Sequence, residues 1–435
     1  MSSAQIKHDR PNAPRSKEGL PAQTRRQQIV ITALFLLFAI AFSWTSLRTG
    51  ASSDLLPIWL AAKFFALGQE GAIYAKDSTF FTMSPPNEWI AYVRSGGSEA
   101  AIYPYVYPPL WAKLLAPLTN LMSFAQFERA IVLLNPALLI LMIFAAWRAA
   151  PKLPLQLHML VGTALIFGTT VGLIPIIGGQ AHILVGFLMV LAMERSRNNA
   201  PISAGAALAI ATAFKLFPLV FVIFFITKAQ WRAVISFAAT GAILGGASLL
   251  LAGWPLHAEF LSQISAVSRT MLFVNHSINI DGLIGHILGL QDAVLITQGA
   301  EHLVLEKSPL WIAASRALMI GVIGALGLWA WRNPRIADHP LIWPTGFLAF
   351  ALVSPLSWTF YYAAPLAMAP YLLAAWGAKR ALLLLIPLGL SLSFLMLNIP
   401  QGLWGIYFPL QVYATIALIA LLIAYVFTIS RETRA

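Results

Sequence analysis

The run IVITALFLLFAIAFSWTSL, from about residue 29 to 47, carries no charge, and residues 409 to 429 form a second such run near the other end of the chain. A helix needs about 20 apolar residues to cross a hydrocarbon core of ~30 Å. Several windows in the 435 residues reach or pass that length, and they are continuous where the strands of a membrane β-barrel would alternate. The chain therefore reads as all-α, a polytopic transmembrane helical protein. Its composition agrees, since 59% of residues are hydrophobic and only 10% charged.

A formal net charge of +12 raises the question of nucleic acid, but Lys and Arg stand mostly in short loops between apolar runs. Membrane topology accounts for them better, and no nucleic-acid partner is expected. Cysteine is absent, which excludes disulfides and thiolate-held metals. Residues 1–27 hold Lys7, Arg10, Arg15, Lys17, Arg25 and Arg26 against Asp9 and Glu18, and read as a disordered basic cytoplasmic tail. The charged stretch is too long, and the run after it too spanning, for a cleaved signal peptide. Residues 28–430 read as one transmembrane domain.

The basic end SRETRA (430–435) belongs in the cytoplasm, and alternation back from it fixes the C-terminal half. Loop 398–409 falls outside, 377–380 inside, 354–362 outside, 331–335 inside, 253–309 outside and 228–232 inside. With the tail inside, segment 48–107 forms a large first outer loop. Two regions admit alternatives. In one, 108–122 is re-entrant and 201–227, with Lys215 and Pro218 in mid-span, is a broken hairpin. In the other, both cross plainly and ERSRNN (194–199) lies outside. The expected number of membrane segments is about 10–13. Broken backbone at membrane depth has to be surrounded by protein or line a cavity. No internal repeat is evident, which weakens a transporter reading.

Acids are scarce, sixteen in all. Asp54 stands apart, at the outer end of the first span and just before LLPIWLAAKFFALG, where Leu55, Trp59, Ala62, Phe65 and Ala66 suit one face of a surface helix. It reads either as a helix N-cap or as a catalytic carboxylate at headgroup height. The stretch YPYVYPPLWAKLLAPL (103–118) reads as an interfacial aromatic belt before a Pro-started helix. GGQAHIL (178–184) gives a Gly-rich turn and an amide donor at a span boundary. Lys215 is costly inside an apolar segment, so it is expected to face a cavity or counter-charge, or else to snorkel. The outer loop gathers Arg269, Asn275, His276, Asn279, Asp281 and His286 without metal-ligand spacing, so no metal site is expected. Asp77 and Asp292 read as solvated charges. Walker, GxGxxG and GxSxG patterns are missing, which argues against a nucleotide-driven pump or a serine hydrolase.

In order, AAKFFALGQEGAIY after Asp54, YVYPP with LAPL, GGQAHILVGFLMVLA, AGAALAIATAFKLFPLVF with its following Trp-Arg, VNHSINIDGLIG and SPLSWTFYYAAPL resemble glycosyltransferase family 87. These are polyprenyl-phosphate-sugar-dependent membrane transferases of the C-type glycosyltransferase fold, and the resemblance covers most of the chain after the tail. Two departures stand out. The family often has a histidine pair where Tyr361 and Tyr362 stand, and Gln where His276 stands.

The resemblance implies transfer, with inversion, of a hexose or pentose such as mannose or arabinofuranose. The donor would be a polyprenyl-phosphate sugar, and the acceptor an envelope lipid or glycan at the periplasmic face of the bacterial inner membrane. Asp54 would take the acceptor proton. Lys215, Arg269, His276, Tyr361 and Tyr362 are the candidates for the leaving phosphate, and Tyr107, Gln180 and Asn275 complete the substrate-binding set. The sugar arrives activated, so no nucleotide, metal or other cofactor is called for. A phosphate leaves without the second carboxyl that a glycosidase needs. The competing readings are a lipid-linked-sugar flippase or transporter, with Lys215 on a translocation path, and a non-catalytic scaffold.

Overall fold

The computed structural model describes residues 24–46, 52–75, 80–298 and 303–434. Most of the expected tail, and Asp77, lie outside the described residues. The part of the tail inside them is already helical by Arg25, where α1 (Arg25–Ser46) begins.

The all-α expectation holds. Among the described residues six helices are long and apolar enough to cross a membrane, or seven when one bent pair is counted as a span. Four of the six are α1, α4 (Phe124–Ala149), α12 (Pro309–Arg332) and α15 (Pro409–Arg434). The remaining expected segments are shorter helices with breaks. Between α1 and α4 lie α2 (Leu56–Ala66) and α3 (Pro109–Leu115). After α4 come α5 (Leu155–Phe167) and α6 (Thr170–Ile177), joined at a 64° bend, then α7 (His182–Arg197). Next is α8 (Pro201–Phe214), which ends at Lys215, followed by the 3-10 turn Phe217–Val222 and α9 (Ile223–Thr227).

The stretch Trp231–Ser268, here α10, is two helices that meet at a kink at Gly253, the residue where the sequence reading began an outer loop. Gly253 takes φ 73° and ψ 161°, a non-helical conformation open to glycine, so one helix ends there and the next starts at once in the Trp-Pro that follows. His257 ties the kink, with Nδ1 2.7 Å from the Gly253 carbonyl and Nε2 2.8 Å from Ser248 Oγ. Beyond it, β1 (Thr270–Phe273) pairs antiparallel with β2 (Leu303–Glu306), and α11 (Ile280–Ile287) lies between them. Helices α13 (Ile342–Val353), α14 (Ala378–Ser391) and α15 complete the chain.

One end of the bundle gathers the basic loops. Arg148 meets Glu194 at 2.9 Å, Lys228 meets Asp338 at 2.9 Å, and Lys152 meets Glu432 at 3.1 Å. Ser196 donates to Gln230 at 2.6 Å, and Arg197 donates to the Ala149 carbonyl at 2.7 Å and that of Asp338 at 2.6 Å. Tyr371 donates to Glu432 at 2.8 Å. ERSRNN and KAQWR therefore share a face, and segment 201–227 leaves it and returns. This is the broken hairpin. Segment 108–122 holds helices of 7 and 4 residues, about 10 Å and 6 Å long, neither able to cross.

Two further segments behave like 201–227. Helices α5, α6 and α7 rise from this basic face and come back to it, and so does the chain from α13 to Tyr371–Trp376. With 12 to 16 residues in α5, α7, α8 and α13, the three hairpin tips stand about 18 to 24 Å from the basic face, short of a full crossing.

Candidate active site

The three tips converge on the turn between α1 and α2. There the Asp54 N–H donates to the Gly178 carbonyl at 3.0 Å, and Leu55 N–H donates to the same oxygen at 3.2 Å. Ser52 N–H donates to Glu128 Oε1 at 2.6 Å, which ties the turn to the first turns of α4. The approach is close enough that a Cβ on Gly178 would stand 2.6 Å from Asp54 Oδ2. The next residue, Gly179, has φ 67°, and a Cβ there would meet Leu55 and Ser52 at 2.9 Å.

This geometry overturns the N-cap reading. The N-cap of α2 is Leu55, with no side-chain capping bond, and Asp54 lies one residue before it. Nor is α2 a surface helix with a single covered face. Leu56 to Ala62, Phe64 and Phe65 are all buried, because α3 and the aromatic cluster of Tyr74, Trp89 and Tyr105 enclose it.

The Asp54 side chain is hydrogen-bonded by Gln180 and feels the charge of Lys215. Burial raises its pKa, Lys215 and Gln180 oppose the rise, and the net value is about 6. The group lies deep in the protein but keeps part of its surface open, as a cavity-lining group does. Gln180 in turn accepts from the Tyr107 phenol at 2.6 Å, and its backbone carbonyl takes the Asn135 amide at 3.3 Å.

Lys215 sits at the break between α8 and the 3-10 turn, in extended backbone at φ −146° and ψ 134°. Trp111 holds that break by donating to the Ala213 carbonyl at 2.6 Å and stacking on Phe214 at 3.6 Å. A helix end at this depth leaves carbonyls without partners, and the indole satisfies one. The ammonium of Lys215 lies 5.2 Å from the ring centres of Tyr107 and Tyr361 and 5.5 Å from that of Phe360. These are cation–π distances. Lys215 thus faces a cavity wall and does not snorkel to an interface.

The third tip brings Phe360 and Tyr361. The adjacent Tyr362 is fully buried and donates to the Ile278 carbonyl at 2.5 Å, so its phenol is spent on holding the tip to the outer loop. Ile278 N–H donates to Ser357 O at 2.6 Å and Thr359 N–H to His276 O at 2.9 Å, extending that seam. Asn275 accepts from Leu410 N–H at 3.0 Å and so fastens the loop to α15. Burial lowers the pKa of His276, whose Nδ1 has no hydrogen-bond partner. Arg269 is exposed at the end of α10, its carbonyl accepting from Lys307 N–H at 2.8 Å.

Of the nine residues expected from sequence, Asp54, Tyr107, Gln180, Lys215 and Tyr361 are brought together. Asn275, His276 and Tyr362 form the adjoining seam, and no described contact joins Arg269 to the Asp54 group. Sequence reasoning missed His182, which stacks on Tyr361 at 4.1 Å. Its signal was present, two residues after Gln180 in GGQAHIL.

Fold and site together define a polytopic helical membrane protein whose broken hairpins deliver a lysine, an amide and phenols to one carboxylate. The sequence matches glycosyltransferase family 87 over residues 105–357, more than half of the chain, and the chain belongs to that family of glycosyltransferases. The match contains Tyr107, Gln180, Lys215, Arg269, Asn275 and His276; Asp54 precedes it and Tyr361 and Tyr362 follow it. A relative in Mycobacterium tuberculosis (strain ATCC 25618 / H37Rv) is 26% identical over 280 residues, or 60% of this chain and 59% of the relative. It is a polyprenol-phosphate-mannose-dependent alpha-(1-2)-phosphatidylinositol mannoside mannosyltransferase. This chain thus spans about three fifths of the curated relative it matches.

Proposed function

We propose that this protein transfers a sugar from a polyprenyl-phosphate donor to a lipid or glycan acceptor of the cell envelope, with Asp54 as general base. The acceptor hydroxyl gives its proton to the Asp54 carboxylate and its oxygen attacks the anomeric carbon. The bond from that carbon to the phosphate oxygen breaks, its electron pair staying on the polyprenyl phosphate. Attack opposite the leaving group inverts the anomeric centre. Lys215, with hydrogen bonding from Tyr361, stabilises the phosphate as its charge grows. Tyr107 and Gln180 hold the base in place, and the His276 and Asn275 seam walls the side toward the outer loop.

The observation that carries this reading is the placement of the Asp54 carboxyl under the influence of the Lys215 charge, an acid and a cation at the meeting point of the three hairpin tips. Mannose is the donor sugar to try first, since the relative depends on polyprenol-phosphate-mannose. The basic loops gather at one end, which the positive-inside rule assigns to the cytoplasm. The pocket then opens toward the periplasmic leaflet of a bacterial inner membrane, with both termini on the cytoplasmic side.

The test is to incubate purified protein with a panel of polyprenyl-phosphate sugars and envelope acceptors and to detect the glycosylated product by mass. Asp54→Asn is expected to lower turnover by about 10²- to 10⁴-fold, the usual worth of a positioned base, with unchanged elution as a folded protein. A flippase would keep moving lipid-linked sugar between leaflets with that substitution, and retained transport without product would refute the transferase reading.

A further inference from the structure

His182 opens α7 at the wall of the pocket and is only 3% exposed. Its ring stacks on Tyr361 at 4.1 Å and 27°, lies nearly parallel to Phe217 at 5.6 Å and 16°, and stands 5.1 Å from Phe360. Its backbone N–H reaches the Gln180 side-chain oxygen at 3.4 Å. The imidazole is therefore fixed in orientation by aromatic rings, two of which also lie under the Lys215 ammonium.

Nδ1 is sealed from solvent and has no hydrogen-bond partner among the described residues, and no described hydrogen bond involves Nε2. Buried polar groups in folded proteins are almost always paired, so an unpaired one needs a reason. A purely structural ring at this position would serve as well without nitrogens, as phenylalanine does. The arrangement is least costly as the tautomer with bare Nδ1 against the packed wall and the proton on Nε2, because the sealed atom is then an acceptor and no N–H is stranded.

We propose that His182 is a further donor-binding residue of the transferase described above, its Nε2–H donating a hydrogen bond to a phosphate oxygen of the polyprenyl-phosphate donor. The proposal rests on that functional reading. Lys215 and His182 then divide the work. The ammonium supplies charge without direction, and the imidazole, locked by three rings, supplies a directed donor next to it.

The experiment compares wild type with His182→Phe, which keeps a stacking ring without an N–H, and His182→Gln, whose side-chain amide reaches about as far as Nε2. Three quantities are read for each: KM for polyprenyl-phosphate-mannose, the inhibition constant of polyprenyl phosphate without sugar, and the melting temperature. In His182→Phe, KM and the inhibition constant are expected to rise together by about tenfold or more, the worth of a hydrogen bond to a charged group, and in His182→Gln to return most of the way. A His182→Phe protein with wild-type constants overturns the proposal. So does one whose KM rises while inhibition by polyprenyl phosphate stays unchanged, since the contact would then be to the sugar, and so does one that only melts earlier. Wild-type protein that neither transfers from nor binds any polyprenyl-phosphate compound overturns the functional reading and this proposal together.

Discussion

The phenol of Tyr107 donates a 2.6 Å hydrogen bond to the side-chain oxygen of Gln180, which stands 73 positions later in the chain. With that oxygen occupied, the Gln180 amide N–H₂ is the end left to face Asp54, whose pKa Gln180 draws down. A residue from the outer segment thus fixes the orientation of an amide on a hairpin tip, and the amide fixes the carboxylate.

Tyr107→Phe lets the amide turn, and turnover is expected to fall by about tenfold, the effect of one misdirected hydrogen bond. Gln180→Leu removes the contact itself and should cost more. Initial rates at saturating donor, with Tyr107→Phe showing the smaller loss, check the order.

In the proposed mechanism the ionised form of Asp54 is the base, and the pKa of this group is raised to about 6, chiefly by burial. Activity is therefore expected to be full above that value and to fall as pH drops through it. In a profile of kcat/KM the acid limb should have its midpoint at about 6. Lys215 lowers the pKa of Asp54, so Lys215→Met is expected to move the midpoint to higher pH, whatever it does to the height of the curve. An unmoved midpoint would show that the limb belongs to another group.

At Gly178, alanine suits the backbone but sets its methyl 2.6 Å from Asp54 Oδ2, so it displaces the base. The expected result is a fall in kcat on the order of a hundredfold with little change in melting temperature, since misplacement by about 1 Å can cost that much. Gly179→Ala is different, because φ 67° is strained for alanine and the methyl meets Leu55 and Ser52. Its loss should show first in thermal stability.

Asp281, expected as an outer-loop acid, is instead buried, ion-paired to Lys307 at 2.5 Å and hydrogen-bonded by Trp311 at 3.2 Å and Ser315 at 2.9 Å. This cluster anchors α11 to α12. Lys307→Met leaves a buried carboxylate without its cation and is expected to cost about 3–5 kcal/mol, read as a lower midpoint of unfolding. Adding Asp281→Asn should recover part of the loss.

The membrane character was legible in the sequence, which offered the shared face of ERSRNN and KAQWR only as one of two alternatives and grouped Asp54, Gln180 and Lys215 through the family resemblance. Span-length apolar runs and scarce charges are strong signals because the bilayer penalises exceptions. Less legible was whatever depended on how broken backbone closes. Gly253 and Pro255 read as a helix end, and the backbone does break at Gly253, but a second helix follows at once where the sequence suggested an outer loop. Asp54 fitted a cap by type and place, but Leu55 takes that position and a glycine carbonyl from another hairpin draws the turn away. Tyr361 and Tyr362 are alike in sequence, and only the seam to Ile278 assigns one to the framework and leaves the other at the pocket. His182 went unnoticed because a lone imidazole in an apolar run has no spacing to announce it.

The three hairpin tips have consequences for how the protein is made. Asp54 is synthesised early and Tyr361 more than 300 residues later, and the groups around them come from three separate hairpins. Competence arrives in one step, when the last re-entrant piece docks.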